Sequence, residues 1–536
     1  MKIIVCDPIS PKGIKLLQAR PEFNVVVLDK THTEDELCAI VGDATALLVR
    51  SETKVTKKVI AAAKQLKVVG RAGVGVDNVK VEDATQHGVV VMNTPVGNMV
   101  TTAELAFTLL LSLARKVPEA AAGLAAGKWL RKELGKDGVE LQGKTLGVLG
   151  LGRIGTEVAK RAIAFGMKIV AYDPYLTEER AKAIGATLAD LDQVYREADF
   201  ITLHMLVTDE TKGMLNAAAF AKMKPNVRIV NCARGEIISE PDLIAALESK
   251  KVAGAALDVF EKEPLPAGHP YIAQAARGNL ILTPHLGAST KEAQEKCGIE
   301  VAEIVIAYLL TGEVRNAVNL PYLDAKTYEQ VKPYLILGEK LGKLLAQLAP
   351  AHVDRLHITY GGKAKDLPNI DPVTRAVLQG FLSRASVKDL NNVNVRSVAS
   401  TLGLTVEEKR SNEPVTFNEW LHVQASNGGV KVLSTGGTFF GSPDNPRIVR
   451  VYSQPTEIVP FGVVLLLNNK DRPGIVGYLG TLLAKHKVNI ASMSLSRDTV
   501  GGFALTALNL DSVPPNEVLD EIRKDPDISN VAVVKL

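Results

Sequence analysis

The stretch Leu146-Gly147-Val148-Leu149-Gly150-Leu151-Gly152-Arg153-Ile154-Gly155 decides the reading of this chain. An apolar run ends in Gly-x-Gly-x-x-Gly and passes into Thr156-Glu157-Val158-Ala159-Lys160-Arg161, whose composition suits a helix. Strand, glycine turn and helix in that order form the context in which the motif holds a dinucleotide. Gly150 allows the tight turn, Gly152 lets backbone approach a pyrophosphate, and Gly155 lets helix and strand pack closely. The next apolar run, Lys168-Ile169-Val170-Ala171-Tyr172, ends in Asp173. A carboxylate there accepts from the adenosine ribose hydroxyls and repels a 2′-phosphate. The expected cofactor is therefore NAD.

With 536 residues the chain is too long for one core, so three or four domains are expected. Its 46% hydrophobic and 23% charged residues are ordinary for an α/β protein. A net charge of +4 over this length makes no basic stripe, so no nucleic-acid partner is expected. Cys6, Cys38, Cys232 and Cys297 have no C-x-x-C spacing and read as reduced thiols, with neither metal site nor disulfide, in a cytoplasmic protein. The apolar run Leu105–Ala114 stops at Arg115, too short to span a membrane. Met1-Lys2-Ile3-Ile4-Val5-Cys6-Asp7 reads as a strand, so no targeting peptide is expected ahead of the fold.

Before the glycine motif, short apolar strands alternate with helices: Ile3–Val5, Asn24–Leu28, Ala46–Val49, Val68-Val69 and Val89–Met92. This pattern predicts a complete parallel sheet covered on both faces. Ligands of such sheets sit beyond the carboxyl ends of the strands. Arg50-Ser51 follows the third strand, and Gly70-Arg71-Ala72-Gly73-Val74-Gly75-Val76-Asp77-Asn78 follows the fourth. Two arginines so placed suggest an anion site. Thr101-Thr102-Ala103-Glu104 has capping-box spacing at the start of a helix, Ala103–Arg115. That helix is apolar nearly all round and is expected between domains or in a subunit interface.

Beyond Asp173 the strands Asp199–His204, Val227–Asn231, Ala255–Val259 and Asn279–Thr283 continue the alternation. At or just past the ends of three of them stand Arg234, Glu263 and His285. Oxidation of a secondary alcohol beside a carboxylate needs a base of near-neutral pKa, and imidazole suits that. A carboxylate orients the ring and favours its charged form, and a guanidinium grips the substrate carboxylate with paired donors.

Asn231-Cys232-Ala233-Arg234-Gly235, Asp258-Val259-Phe260-Glu261-Lys262-Glu263-Pro264 and Pro284-His285-Leu286-Gly287-Ala288-Ser289-Thr290 resemble the signatures of the D-2-hydroxyacid dehydrogenases. The resemblance runs from about residue 1 to 318 and implies Arg234, Glu263 and His285 as the catalytic set. It also implies cofactor contacts at Gly150, Gly152, Arg153, Ile154, Gly155, Asp173, Met205, Cys232, Ala233, Arg234, Asp258, His285, Gly287 and Ala288. Leu206 stands where the family often has proline, and Val74 where it often has a small hydroxylic residue. The implied architecture inserts a nucleotide domain (97–285) into a substrate domain (1–96 and 286–318), both doubly wound parallel α/β units.

More than 200 residues follow. Residues 319–456 read as an α+β intervening domain. Residues 457–536 read β-α-β-β-α-β, a ferredoxin-like order that resembles the ACT regulatory module. That resemblance implies an effector site at Asn469, Asp471 and Asn489; capping and turn roles for Asp471 and Asn489 are the plainer reading. Dehydrogenase, intervening domain and ACT module together resemble the long-chain branch that oxidises 3-phosphoglycerate to 3-phosphooxypyruvate at the entry to serine synthesis. This implies L-serine as effector, a homo-oligomer (dimer or tetramer), and substrate contacts at Arg50, Ser51, Arg71, Gly73 and Asn98. Two other readings stay open: a glyoxylate or hydroxypyruvate reductase on the same scaffold, and a catalytically silent NAD-sensing scaffold.

Overall fold

The computed structural model describes residues 1–320, 325–385, 390–414, 417 and 419–536. The first sheet joins β1 (Lys2–Val5), β2 (Asn24–Val27), β3 (Ala44–Val49), β4 (Val68–Arg71) and β5 (Val90–Asn93) in the order β2-β1-β3-β4-β5. All its pairings are parallel. Every residue of β3 is buried, as an uninterrupted apolar strand covered on both faces requires. The long helix Lys291–Thr311 returns to this sheet and places Val301, Ala302 and Val305 in one core with Ile3, Val5, Leu48 and Met92. Asn319 closes the unit, accepting from the Val91 N–H at 2.9 Å.

The second sheet holds β6 (Thr145–Leu149), β7 (Lys168–Tyr172), β8 (Thr187–Leu188), β9 (Phe200–Leu203), β10 (Val227–Asn231), β11 (Val252–Leu257) and β12 (Leu280–Leu282). Their order is β12-β11-β10-β9-β6-β7-β8, parallel throughout. The order reverses between β6 and β9, which opens a crevice beside the glycine turn, the usual ligand position in such sheets. The apolar helix expected over Ala103–Arg115 begins at Met99, so the Thr101–Glu104 spacing caps nothing. The Thr102 hydroxyl instead donates to the Gly287 carbonyl at 3.0 Å. This helix packs Ala103, Phe107 and Leu110 against Leu146, Val148 and Ala256, so its buried face belongs to the nucleotide sheet of its own chain.

The third sheet, of β13 (Arg355–Gly362), β14 (Thr405–Arg410), β15 (Glu419–Asn427), β16 (Val430–Phe439), β17 (Pro446–Val451) and β18 (Gln454–Ile458), is mixed, with β13 and β14 parallel and the rest antiparallel. The fourth is antiparallel, β20-β21-β19-β22, from β19 (Val463–Lys470), β20 (Ile490–Arg497), β21 (Phe503–Leu510) and β22 (Ile528–Lys535). Helices Ile475–Lys485 and Asn516–Lys524 cover one face of it through Leu479, Leu482, Val518 and Ile522. The other face carries Val464, Leu466, Leu505, Ala507 and Val534 into the core of the third sheet. Each of these Val and Leu side chains contributes about 1.5–3 kcal/mol of burial, so the two C-terminal sheets are welded rather than strung on a linker. No helix among the described residues is long and apolar enough to cross a membrane.

Candidate active site

At the crevice of the second sheet the glycine turn has the geometry its sequence suggests. Gly150 sits at φ +92°, and a Cβ at Gly155 would collide with the Gly150 carbonyl oxygen. Gly152, the N-cap of helix Arg153–Ala164, faces open space, leaving room where a pyrophosphate would meet the helix N-terminus, against Arg153 and Ile154. Asp173 accepts the Leu151 N–H and the Tyr175 N–H, both at 2.9 Å. Its carboxylate is thereby fixed at the mouth of the turn with lone pairs to spare for ribose hydroxyls. These residues fit a dinucleotide.

Two buried polar residues that sequence reasoning passed over shape the rim. Asn231, 1% exposed, accepts the Ala233 N–H at 3.0 Å and donates to the Arg234 carbonyl at 2.8 Å. This side chain-to-backbone turn presents Cys232, Ala233 and Arg234 beyond β10; an Asn closing a strand before a short polar turn was its sequence signal. Burial pushes the Cys232 thiol far above its ordinary range, so it is an inert wall rather than a nucleophile. On the first lobe, Asp7 is 2% exposed and accepts the Arg50 N–H at 2.6 Å and the Thr53 hydroxyl at 2.5 Å, fixing the loop that bears Arg50 and the exposed Ser51.

Asp258, also 1% exposed, organises the histidine loop. Its carboxylate accepts the Thr283 hydroxyl at 2.6 Å, the Leu286 N–H at 2.8 Å and the Gly287 N–H at 2.9 Å, and its carbonyl accepts the His285 N–H at 2.9 Å. Burial raises its pKa, and these donors work against that rise. The loop holds His285 at φ +54°, a left-handed conformation uncommon for a non-glycine residue. Here Asp258 spends its carboxylate on the loop, while Met205 and Ala288 flank the crevice half-buried.

The His285 Nδ1 lies 2.7 Å from the Glu263 Oε2, and Glu263 Oε1 accepts the Phe260 N–H at 3.1 Å. The hydrogen bond to Glu263 raises the imidazole pKa above 6.5; burial and the Arg234 charge oppose this and are outweighed. Burial alone would raise the Glu263 pKa, but the His285 bond and charge, the Phe260 N–H and Arg234 together hold it below its ordinary value. Arg234 thus stands within electrostatic reach of both partners.

On the first lobe, the Arg71 guanidinium lies over Gly73, where a Cβ would strike it. Burial and the positive charges of Arg234 and Arg50 lower its pKa, with Asp77 working the other way. Arg71 Nε and Asn98 Oδ1 are buried without a hydrogen-bond partner among the described residues. Buried polar atoms left so are costly unless a ligand meets them. Arg71 shares its electrostatic surroundings with Arg234 and Arg50, and Arg234 in turn acts on both His285 and Glu263. No cluster of potential metal ligands is found among the described residues.

The residues implied as an effector site are not brought together within one chain. Asn469, 1% exposed, accepts the Thr506 hydroxyl at 2.7 Å. Asp471 accepts from Arg497 at 3.0 Å and the Gly501 N–H at 3.1 Å, and the following helix is capped at Gly474, not at Asp471. Asn489 donates to Asp511 at 2.8 Å. The pairings Lys470↔Phe503, Val463↔Leu510 and Ile490↔Leu510 put Asn489 at the opposite end of the sheet from Asn469 and Asp471.

Comparison with known proteins agrees with this layout. Residues 107–287 match the D-isomer specific 2-hydroxyacid dehydrogenase NAD-binding domain, 330–452 the D-3-phosphoglycerate dehydrogenase intervening domain, and 463–527 the ACT domain. The chain is 43% identical over its whole length to D-3-phosphoglycerate dehydrogenase of Synechocystis sp., covering 95% of that protein. It is 41% identical to that of Methanocaldococcus jannaschii, covering all of both. Among solved structures, NAD-dependent formate dehydrogenase from Staphylococcus aureus in complex with NAD superposes with a TM-score of 0.53 at 28% identity, over 60% of this chain and 98% of that one. A glyoxylate reductase superposes with a TM-score of 0.55 at 29% identity, over 59% of this chain and 98% of its own. Three matched segments in one order, and full-length identity above two-fifths, go well beyond a shared fold: this chain belongs to the D-3-phosphoglycerate dehydrogenases, within the D-isomer specific 2-hydroxyacid dehydrogenase family.

Proposed function

We propose that His285, Glu263 and Arg234 carry the NAD-dependent oxidation of D-3-phosphoglycerate to 3-phosphooxypyruvate, the entry step to L-serine. The observation that supports it is the 2.7 Å His285–Glu263 pair beside Arg234, whose charge acts on both partners and on Arg71 with its unpartnered Nε. Bound NAD supplies the hydride acceptor. With Nδ1 engaged by Glu263, the Nε2 of His285 is the nitrogen left to take the proton from the substrate hydroxyl. Glu263 fixes that tautomer and stabilises the imidazolium that results. Arg234 grips the substrate carboxylate, while Arg50 and Arg71, with Ser51, Gly73 and Asn98 around them, receive the phosphate. Steady-state assays with NAD test this: kcat/KM should favour 3-phosphoglycerate over D-lactate, and 3-phosphooxypyruvate over glyoxylate. Preference for glyoxylate would move the chain to the reductase reading.

The protonation logic gives a signed prediction. Alcohol oxidation needs neutral imidazole, so kcat/KM falls as pH drops through the His285 pKa, which Glu263 holds above 6.5. In Glu263→Gln the acidic limb of the pH profile should move to lower pH, and kcat should fall about 10- to 100-fold from the loosened ring. An unmoved limb would remove Glu263 from this role.

The boundaries 1–96 with 286–318, 97–285, 319–456 and 457–536 are the domain division we adopt. L-Serine is the effector we assign to Asn469, Asp471 and Asn489. Because one chain holds Asn489 apart, a site using all three draws it from a second copy, in keeping with a homo-oligomer. Calorimetry on the full chain should show saturable binding of L-serine. Absence of heat at millimolar serine would leave the ACT module to another ligand. The four unpaired cysteines accord with the cytoplasm as compartment.

A further inference from the structure

One carboxylate in the cleft has no part in the chemistry above. Asp77 stands at the end of the Gly73–Asp77 loop on the first lobe, and its Oδ2 lies 2.9 Å from the Arg234 Nη2 on the second. Its side chain is 74% exposed, against 24% for Arg234, so it is neither buried for packing nor held by the fold. Gly75 lies directly against the pair, since a Cβ there would meet both the Arg234 Nη2 and the Asp77 Oδ2. Arg71 and Arg50 complete the local field: Arg71 feels two positive neighbours, Arg234 and Arg50, and Asp77 is the carboxylate among its charged neighbours.

We propose that Asp77 is a positioning residue that holds, until substrate binds, the guanidinium edge of Arg234 that the substrate carboxylate takes. The proposal rests on the reading of Arg234 as the carboxylate clamp. Three guanidinium groups near one another repel, and an internal carboxylate offsets that repulsion before a substrate anion arrives. It also brings the two lobes together, because Asp77 and Arg234 belong to different sheets. Binding of substrate exchanges one carboxylate for another on the same donors. The protein's own anion therefore competes with every carboxylate ligand by the same factor, whether or not that ligand carries a phosphate. The orientation of Arg234 does not depend on Asp77 alone, since its Nη1 also donates to the Ala233 carbonyl at 2.6 Å. Competition, not loss of orientation, should then dominate when the charge is removed.

The test is Asp77→Asn in the full-length enzyme. KM for 3-phosphoglycerate should fall about 2- to 5-fold, the upper part of the range for one partly exposed ion pair. kcat should change by less than KM. The competitive inhibition constant for oxalate, a carboxylate probe without phosphate, should fall by the same factor as KM. Asp77→Glu, which keeps the competing charge, should remain near the parent. In an Arg234→Lys background, which lacks the planar fork, the benefit of Asp77→Asn should disappear. A KM that stays the same or rises in Asp77→Asn overturns the proposal, as does a lowered KM with an unchanged oxalate constant. The underlying reading fails separately: if Arg234→Lys leaves KM and kcat intact, Arg234 is not the clamp, whatever Asp77 does.

Discussion

Replacing His285 by alanine should lower kcat for 3-phosphoglycerate oxidation about 10²- to 10⁴-fold, the range for removal of a positioned general base, while NAD binding persists. The glycine turn, Asp173 and the helix N-terminus that form the dinucleotide crevice make no use of the imidazole. Loss of the ring therefore removes proton transfer and leaves the cofactor platform in place. The backbone at φ +54° complicates alanine, because a Cβ-bearing residue there is strained without its tethers. Asn is better tolerated in the left-handed region, so His285→Asn separates chemistry from strain. Both variants should show the same deep fall in kcat, with the NAD dissociation constant, read by fluorescence or calorimetry, within a few-fold of the parent. Turnover preserved in His285→Asn would show that another group takes the proton.

What could be read from sequence, and what could not, divides along the range of the interactions. The Gly150–Gly155 turn is a local instruction, and strand, turn and helix are adjacent in the chain. Arg234, Glu263 and His285 were legible because parallel strands all deliver their following loops to one edge, so sequence order alone converges them. The meaning of Asp7 and Asp77 depends on groups that only the fold brings near, and polar residues at strand ends look alike in sequence. Asp258 shows the same limit: its position was found, but its grip on Thr283, Leu286 and Gly287 needs the β11–β12 neighbourhood. The Thr101–Glu104 spacing misled because Thr102 finds a partner in Gly287, far along the chain, and the helix starts earlier. In the last sheet a signal was present: Val463 to Leu467 is apolar at every position, although a sheet with one wet face alternates. That run announced the cover that the third sheet's core provides.

The second large effect is expected from Asp258→Asn, and it separates holding the histidine from touching the substrate. An asparagine side chain is nearly the same size, so the core packing of a residue 1% exposed is retained. One amide oxygen can keep two of the three donors, the Thr283 hydroxyl and the Leu286 N–H, both of which now meet Oδ1. The amide NH₂ then faces the Gly287 N–H, donor against donor, where Oδ2 accepted at 2.9 Å. A buried N–H left unpaired costs about 1–3 kcal/mol, and the cheapest relief is movement of the loop that carries His285. Displacement of a catalytic group by about 1 Å can cost on the order of 10²-fold in rate, so kcat should fall about 10- to 100-fold although no reacting group has been changed. The pH profile discriminates the cause. With Glu263 still on the ring, the acidic limb should stay near that of the parent, in contrast to Glu263→Gln, where it moves down. The buried negative charge beside His285 also raises the imidazole pKa in a smaller way, so a slight downward drift is the direction allowed. A limb shifted as far as in Glu263→Gln, with kcat otherwise intact, would mean that Asp258 acts on the imidazole by charge and not by holding its loop.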